Sequence, residues 1–507
     1  MSKNTVVKGF FILTSANIIT RILGFVYRIY MSNLIGAEGM GLYQLIMPIY
    51  MLVWSITSSG FSTTISKLIA EENSKKNYYN INKILKLSVI TSGAIAVLMS
   101  ILVFFLAEFI ANSILNDSRT TLSLYIMCLS FPFMSIGSCI RGYFLGLQNT
   151  IIPAISQVLE QVARMSCIYF LSSIFISRGI EYACAIGVVG MCVGEIFSFL
   201  YVLMVYNNIN IGKSNNKPKN NKTTLEIYKI ILLMATPLTA NRVLNSFLTT
   251  IENILIPQKL IEFGYNNSEA MSLYGQLTGM SMPLIMFPAS LLTGLAIIVV
   301  PAISEAKALN KLNSLENTIN KSFLFTNVIG IGSMGLFLTF CDELGLIIYS
   351  QDDLGEQLLL LGLLCPLLYT HITFSGILNG LGEQFLIFKN SIISSVINIF
   401  FIYYITPQVG LIGFIIGWLL SLVSINLVSY SKLKKILEFK LNLFNIIAMP
   451  LVSILISSLL TKNIYNILIL NLNNSILNLV LGVVVLGLIY LLLLLKFKII
   501  RIQDFKF

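Results

Sequence analysis

Residues 9–66 read GFFILTSANIITRILGFVYRIYMSNLIGAEGMGLYQLIMPIYMLVWSITSSGFSTTIS. Two apolar stretches, 9–34 and 41–66, lie end to end here, and each exceeds the roughly 20 residues that a bilayer-spanning helix needs. The first carries Arg21 and Arg28 inside its apolar run and is longer than the core of a secretory signal. It is therefore expected to stay as a membrane span and not to be cleaved as a leader. The second holds no charged residue.

The pattern continues to the end of the chain. Hydropathy gives about fourteen such segments, near 9–34, 41–66, 87–114, 121–147, 150–177, 182–206, 228–256, 272–302, 322–349, 356–380, 386–405, 408–430, 443–461 and 472–495. Of the 507 residues, 56% are hydrophobic and 11% charged, with a mean hydropathy of +0.85. Soluble domains carry roughly 25% charged residues. The sequence thus predicts an all-α polytopic membrane protein. Pro48, Pro132, Pro153, Pro237, Pro283 and Pro288 lie inside the runs as candidate kinks. The seven cysteines share no metal-ligand spacing and read as small interior residues, so no metal or other cofactor is expected.

The net charge of +11 raises the question of nucleic acid. The placement of the charges answers it. With the N-terminus in the cytoplasm, 25 of the 33 Lys and Arg residues fall on cytoplasmic segments. Outer loops keep only Arg119, Arg178, Lys259 and Lys462. This is the positive-inside pattern of a cell-membrane protein with both termini cytoplasmic. No nucleic-acid partner is needed to explain it.

The chain also repeats. Gly142-x-x-x-Gly146-Leu147 matches Gly376-x-x-x-Gly380-Leu381 at a shift of 234, Met47-Pro48 matches Met282-Pro283 at 235, and Ile65-Ser66 matches Ile303-Ser304 at 238. The expected organisation is a six-helix lobe over 1–207, a cytoplasmic linker rich in Asn and Lys over 208–227, and a second six-helix lobe over 228–440. Two further helices and a tail occupy 441–507. Duplicated bundles around a central site are a recurring transporter plan.

Charges within the spans mark candidate function, because a midplane arginine costs roughly 2.5–3.5 kcal/mol on insertion scales. Asn17, Arg21, Gly24 and Arg28 fall on one stripe of helix 1. Arg242, Asn245, Thr249 and Glu252 fall on one stripe of helix 7, with Asn241 beside them. Helix 5 presents Gln157, Glu160, Gln161 and Arg164, and Glu195 lies in helix 6. Glu160 and Arg164, in the favourable i,i+4 order, either neutralise each other or serve the cavity. Arg28 either snorkels outward or does the same. Arg21 and Arg242 have no in-helix partner, and the expectation is that both face a hydrated cavity between the lobes. Four arginines against three deep glutamates suit an anion, and guanidinium binds phosphate through parallel hydrogen bonds. His371, the only histidine, reads as an interior residue. Gly212-Lys213-Ser214 lacks the first glycine of a phosphate loop, so no ATPase module drives transport.

The stretches Thr20-Arg21-Ile22-Leu23-Gly24-Phe25-Val26-Tyr27-Arg28 and Leu34-Ile35-Gly36-Ala37-Glu38-Gly39-Met40-Gly41-Leu42-Tyr43-Gln44-Leu45 resemble the start of exporters of the multidrug/oligosaccharidyl-lipid/polysaccharide (MOP) superfamily. Val300-Pro301-Ala302-Ile303-Ser304-Glu305-Ala306 is similar to its stage V sporulation protein B branch. The resemblance implies a MATE/MurJ-like fold and alternating access by rocking lobes. It also implies a monomer carrying an undecaprenyl-pyrophosphate-linked oligosaccharide among membrane lipids, with Na+ or H+ as coupling ion. Peptidoglycan of the spore cortex is the implied destination, and 443–495 the implied groove for the lipid tail. By the same resemblance Arg21 matches a cavity arginine of the related lipid II flippases. Tyr27-Arg28 replaces an Arg-Asp pair, and an arginine of helix 2 is missing. The expected substrate-binding residues are Arg21, Arg28, Arg164, Arg242, Asn17, Asn241, Asn245, Glu160, Glu195 and Glu252. A cation-coupled drug exporter, drawing on Glu160, Glu195 and Glu252, is the second reading. A membrane enzyme would want clustered carboxylates or a sizeable outer domain, and the sequence offers neither.

Overall fold

A computed structural model describes residues 3–175, 179–208, 223–437, 444–471 and 474–499. Most of the expected linker, 209–222, lies outside them, as do the Gly212-Lys213-Ser214 stretch and Arg178. The described residues form helices and their connections and no strand. In chain order the α-helices are α1 (Lys3–Trp54), α2 (Gly60–Ser74), α3 (Tyr78–Phe109), α4 (Thr121–Cys128), α5 (Ser130–Gly146), α6 (Ile151–Phe175), α7 (Ile180–Asn208), α8 (Thr224–Phe263), α9 (Asn267–Gly275) and α10 (Met282–Ala308). They continue as α11 (Leu312–Thr339), α12 (Cys341–Tyr349), α13 (Leu354–Gly362), α14 (Cys365–Gly380), α15 (Gln384–Tyr404), α16 (Thr406–Val409), α17 (Leu411–Leu437), α18 (Met449–Asn471) and α19 (Ser475–Lys496).

Ten helices among the described residues are long and apolar enough to cross a membrane, or twelve if each of two bent pairs is one span. The fourteen expected are reached by counting 18–74 as two and adding α6. Gly36 is the reason for the first. Its φ of 71° and ψ of −177° break α1 between the two apolar stretches, in a region where a Cβ is strained. The reason for the second is that α6 carries Glu160 and Arg164 within 25 residues, which dilutes its apolar run.

The chain packs as two compact units. The first comprises Met1–Gln258 and Asn266–Gly275, the second Lys259–Tyr265 and Gln276–Phe507. Most of α8 thus packs with the helices that precede it. In the first unit, Phe61, Ile65, Leu68, Ile69, Tyr143 and Phe144 centre one core, against which Ile227 and Ile231 of α8 pack. In the second, Leu295, Val299, Ile303, Phe323, Phe374 and Ile377 do the same.

Each unit is fastened by the repeated glycine pair. A Cβ on Gly142 would lie 2.7 Å from the Ser62 carbonyl oxygen, and one on Gly146 2.7 Å from that of Ser66. In the second unit, a Cβ on Gly376 would lie 3.2 Å from Ala296 Cβ, and one on Gly380 3.0 Å from the Val300 carbonyl oxygen. Lipid gives apolar helices no reason to associate with each other over lipid, so the close approach that glycine allows supplies the packing. The matched register pairs 62 with 296 and 66 with 300. Its shift is 234 throughout, which corrects the 238 read from Ile65-Ser66. The bends agree: α4 and α5 meet at 44°, and α13 and α14 at 52°. All seven cysteines are free; Cys167 is half-buried and the others buried.

Candidate functional site

The first turn of α8 is fixed locally. Glu226 Oε2 accepts from the Thr223 backbone N–H at 2.7 Å, and Thr223 Oγ1 accepts from the Glu226 N–H at 3.2 Å. This reciprocal cap sets where the helix begins. From there α8 turns Arg242, Asn245, Ser246, Thr249 and Asn253 to one face. They wall a cavity of about 520 Å³ whose other side is Gln44, Met47, Pro48, Met51 and Trp54 of α1, with Ser55 just beyond its end. That volume is in the range of small-molecule sites, about 300–1,000 Å³.

Two sequence features shape the α1 wall. Pro48 has no N–H for the Gln44 carbonyl. The Tyr274 hydroxyl reaches that oxygen at 3.5 Å and also donates to Asn253 Oδ1 at 3.0 Å. The Ser-Ile-Thr-Ser-Ser run after Trp54 then winds as a π-helical turn, Ser55–Ser59. Its hydroxyls bond back to the Leu52, Val53 and Ser55 carbonyls at 2.7, 2.9 and 2.8 Å. Such back-bonding competes with regular helix, and π-turns recur at functional sites.

Arg242 occupies this cavity with little to hold it. Its guanidinium carbon sits 6.0 Å from the Trp54 ring centroid, and Nη1 donates to the Ser59 carbonyl at 3.4 Å. Neither contact neutralises the charge, and Arg242 has no carboxylate partner among the described residues. Asn245 Nδ2 donates to both oxygens of Asn241 at 3.0 Å.

A second polar group is closed. On α6, Arg164 Nη2 donates to Glu160 Oε1 at 2.7 Å, and the guanidinium lies 5.8 Å from the Tyr27 ring centroid. Gly194 lets α7 approach: a Cβ there would meet the Glu160 carbonyl oxygen at 2.8 Å. Glu195 follows, buried, and accepts from the Tyr50 hydroxyl at 2.9 Å.

Of the remaining expected residues, Arg21 is exposed on the first half of α1 and has no side-chain partner among the described residues. Arg28 and Glu252 are half-buried, and the Asn17 side chain lies outside the described residues. The expectation set Arg21 and Arg242 across one cavity. The cavity that forms instead joins Arg242 to 44–55, a stretch passed over for its lack of charge. Gln44, Trp54, Ser55 and Asn253 were missed. Their signal was helical spacing, together with one of only two tryptophans in the chain. Arg119 was also read only as a loop charge. It donates to Glu38 at 2.6 Å and to both oxygens of Asp117, which Asn267 contacts at 3.3 Å. These hydrogen bonds and charges hold its guanidinium more firmly protonated than usual.

Two bundle-like units with matched glycine registers and bent spans define a class by fold: multi-span helical proteins with a MurJ-like fold. The solved inward-closed structure of the lipid II flippase MurJ superposes with a TM-score of 0.72 at 16% identity, over 96% of this chain and 98% of that one. Residues 6–307 match the polysaccharide biosynthesis protein family. Stage V sporulation protein B of Bacillus subtilis (strain 168) is 30% identical over 449 residues, 87% of this chain and 86% of that protein. Lipid II flippase MurJ of the same strain is 26% identical over 422 residues, 77% and 75% of the two chains. The chain belongs to the polysaccharide biosynthesis protein family.

Proposed function

We propose that this protein is a transporter, a flippase for a polyprenyl-pyrophosphate-linked cell-wall saccharide, working by alternating access in the bacterial cell membrane with both termini cytoplasmic. The observation that carries the reading is Arg242, a guanidinium without a carboxylate, in a cavity walled by amides, hydroxyls, an indole, two methionines and a proline. A guanidinium offers parallel N–H donors to phosphate. Gln44, Asn245, Ser55 and Thr249 offer donors and acceptors to saccharide hydroxyls, and Trp54 offers a ring face. The polyprenyl tail stays in lipid, along α18 and α19. Arg21 gathers the pyrophosphate on entry. The likeness to a sporulation protein and to a lipid II flippase supports a peptidoglycan precursor, with spore cortex as its destination. The basic loops support the orientation. The chain works as a monomer by alternating access of its two lobes.

The test is translocation of a fluorescent undecaprenyl-pyrophosphate-linked saccharide in proteoliposomes, comparing the starting protein with Arg242→Ala and Arg21→Ala. Flux that falls in both variants while both remain folded supports the reading. Unchanged flux in both removes the site, and absence of flux in the starting protein under imposed ion gradients removes the cargo.

A further inference from the structure

The two units differ on one face. The shift of 234 sets Leu129 against Leu363 at the bend of each unit, and Pro132 against Pro366 just past it. By the same shift Leu98, Ile101 and Glu108 of α3 fall at Gly332, Gly335 and Asp342. In the second unit that face of α11 is covered. A Cβ on Gly335 would collide with Ile454 of α18, and one on Gly332 would lie 3.0 Å from the Tyr490 ring of α19. The Tyr490 hydroxyl also donates to the Val328 carbonyl at 3.1 Å. In the first unit the matching face is bare: Leu98, Ile101 and Phe105 are 59%, 50% and 79% exposed.

A groove of about 360 Å³ lies there, between α3 and the α4–α5 bend, walled by Ser100, Ile101, Phe104, Phe105, Tyr125 and Leu129 among others. Its floor is fixed by the bend. Pro132 has no N–H for the Cys128 carbonyl, and the Ser100 hydroxyl donates to that oxygen instead at 2.6 Å. Phe104 packs 4.9 Å from the Tyr125 ring, and the Tyr125 hydroxyl donates to Glu108 Oε1 at 3.4 Å. Glu108 is exposed and has no basic partner among the described residues. It stands about 12 Å beyond Ser100 along α3, near the end of the span Tyr78–Ile114. An acidic group at the bilayer edge thus heads an apolar trough that runs inward. A transmembrane helix is the wrong occupant. Glycines let α18 and α19 close on α11, whereas Leu98 and Ile101 hold a helix off, and helix association in lipid depends on close approach.

We infer that this groove binds a bilayer phospholipid with a primary ammonium headgroup. One acyl chain lies along Phe104 and Phe105, and the ammonium donates to the Glu108 carboxylate in a charge-assisted bond. A choline headgroup has no N–H to donate, and an anionic headgroup is repelled. The inference requires only that α3 spans the bilayer, so it stands or falls apart from the lipid-linked cargo.

The test uses the full chain in phosphatidylcholine vesicles carrying a trace of phosphatidylethanolamine with a photoactivatable diazirine in its acyl chain. Labelled peptides are mapped after illumination. Labelling should concentrate on 100–105 and 125–129, and unlabelled phosphatidylethanolamine should compete for it where phosphatidylglycerol of the same chains does not. Glu108→Gln should lower labelling there about two- to fivefold, the scale of an exposed ion pair, and leave labelling of α18 and α19 unchanged. Ile101→Trp, at an exposed position, should fill the groove and abolish it, with the melting temperature of both variants unaltered. Labelling spread evenly along α3 overturns the site. Full labelling in Glu108→Gln, or equal competition by phosphatidylglycerol, overturns the headgroup assignment. Stronger competition by undecaprenyl phosphate would give the groove to the cargo's tail. A benzophenone side chain at position 105 that joins two copies of the chain would give it to a second copy. Either result overturns the phospholipid.

Discussion

The α6–α7 cluster and the α1–α8 cavity both hold an arginine among apolar spans, and they treat it in opposite ways. Arg164 has a carboxylate at 2.7 Å and a glycine that lets the neighbouring helix close over the pair. Arg242 has a distant ring and one long bond to a backbone carbonyl, in an open volume. A charge that is paired and covered contributes to the fold. A charge left uncompensated in a cavity stays available for a ligand's opposite charge. On the proposed reading, the difference separates an arginine that serves the fold from one that serves a ligand.

Four experiments would break or sharpen the contrast. Arg164→Ala strands Glu160 in a covered site, and thermal unfolding in detergent should show a loss of about 3–5 kcal/mol. Replacing the pair together by Gln and Met should recover most of it. A loss under about 1 kcal/mol for the single variant would mean that water already reaches the cluster. Gly194→Ala comes next: its methyl meets the Glu160 carbonyl oxygen. Overpacking of this kind costs about 1–3 kcal/mol, again read by unfolding. Arg242→Ala should reverse the pattern, with an unchanged melting temperature and transport reduced at least about tenfold, equivalent to about 1.4 kcal/mol. Arg242→Lys should restore only part, since it keeps the charge and loses the planar fork. The smallest effect is expected for Trp54→Leu, about 0.5–1 kcal/mol from the lost ring contact. It should appear as weaker apparent substrate affinity in the flux assay.

Much of the architecture was readable because it depends on local rules. Twenty apolar residues in a row need no partner to be recognised, and the Gly142/Gly146 and Gly376/Gly380 pairs were visible from their spacing, though not the helices they touch. The Glu160–Arg164 pair lies within one helix, so its spacing revealed it. The cavity was less legible for a physical reason. Which face of α8 meets which helix depends on packing between segments about 200 residues apart, as in the Arg242–Ser59 and Thr250–Pro48 contacts. Charge was also a poor guide to the α1 wall. Gln44, Trp54 and Ser55 are neutral, and they matter through shape and hydrogen bonding. The Tyr50–Glu195 bond joins residues 145 apart; Glu195 stood out as a charge within its span, but nothing in the sequence pointed to Tyr50 as its partner.

The glycine registers have a consequence for how the protein is made. In both units each glycine of the pair meets a residue that was synthesised 80 positions earlier: 62 with 142, 66 with 146, 296 with 376, and 300 with 380. At ribosomal speeds of about 5–20 residues per second, the earlier helix waits in the bilayer about 4–16 s for its partner. The interval is the same in both halves. The matched registers therefore share a schedule as well as a shape, and an insertion between α2 and α5 would lengthen the first wait and leave the second unchanged.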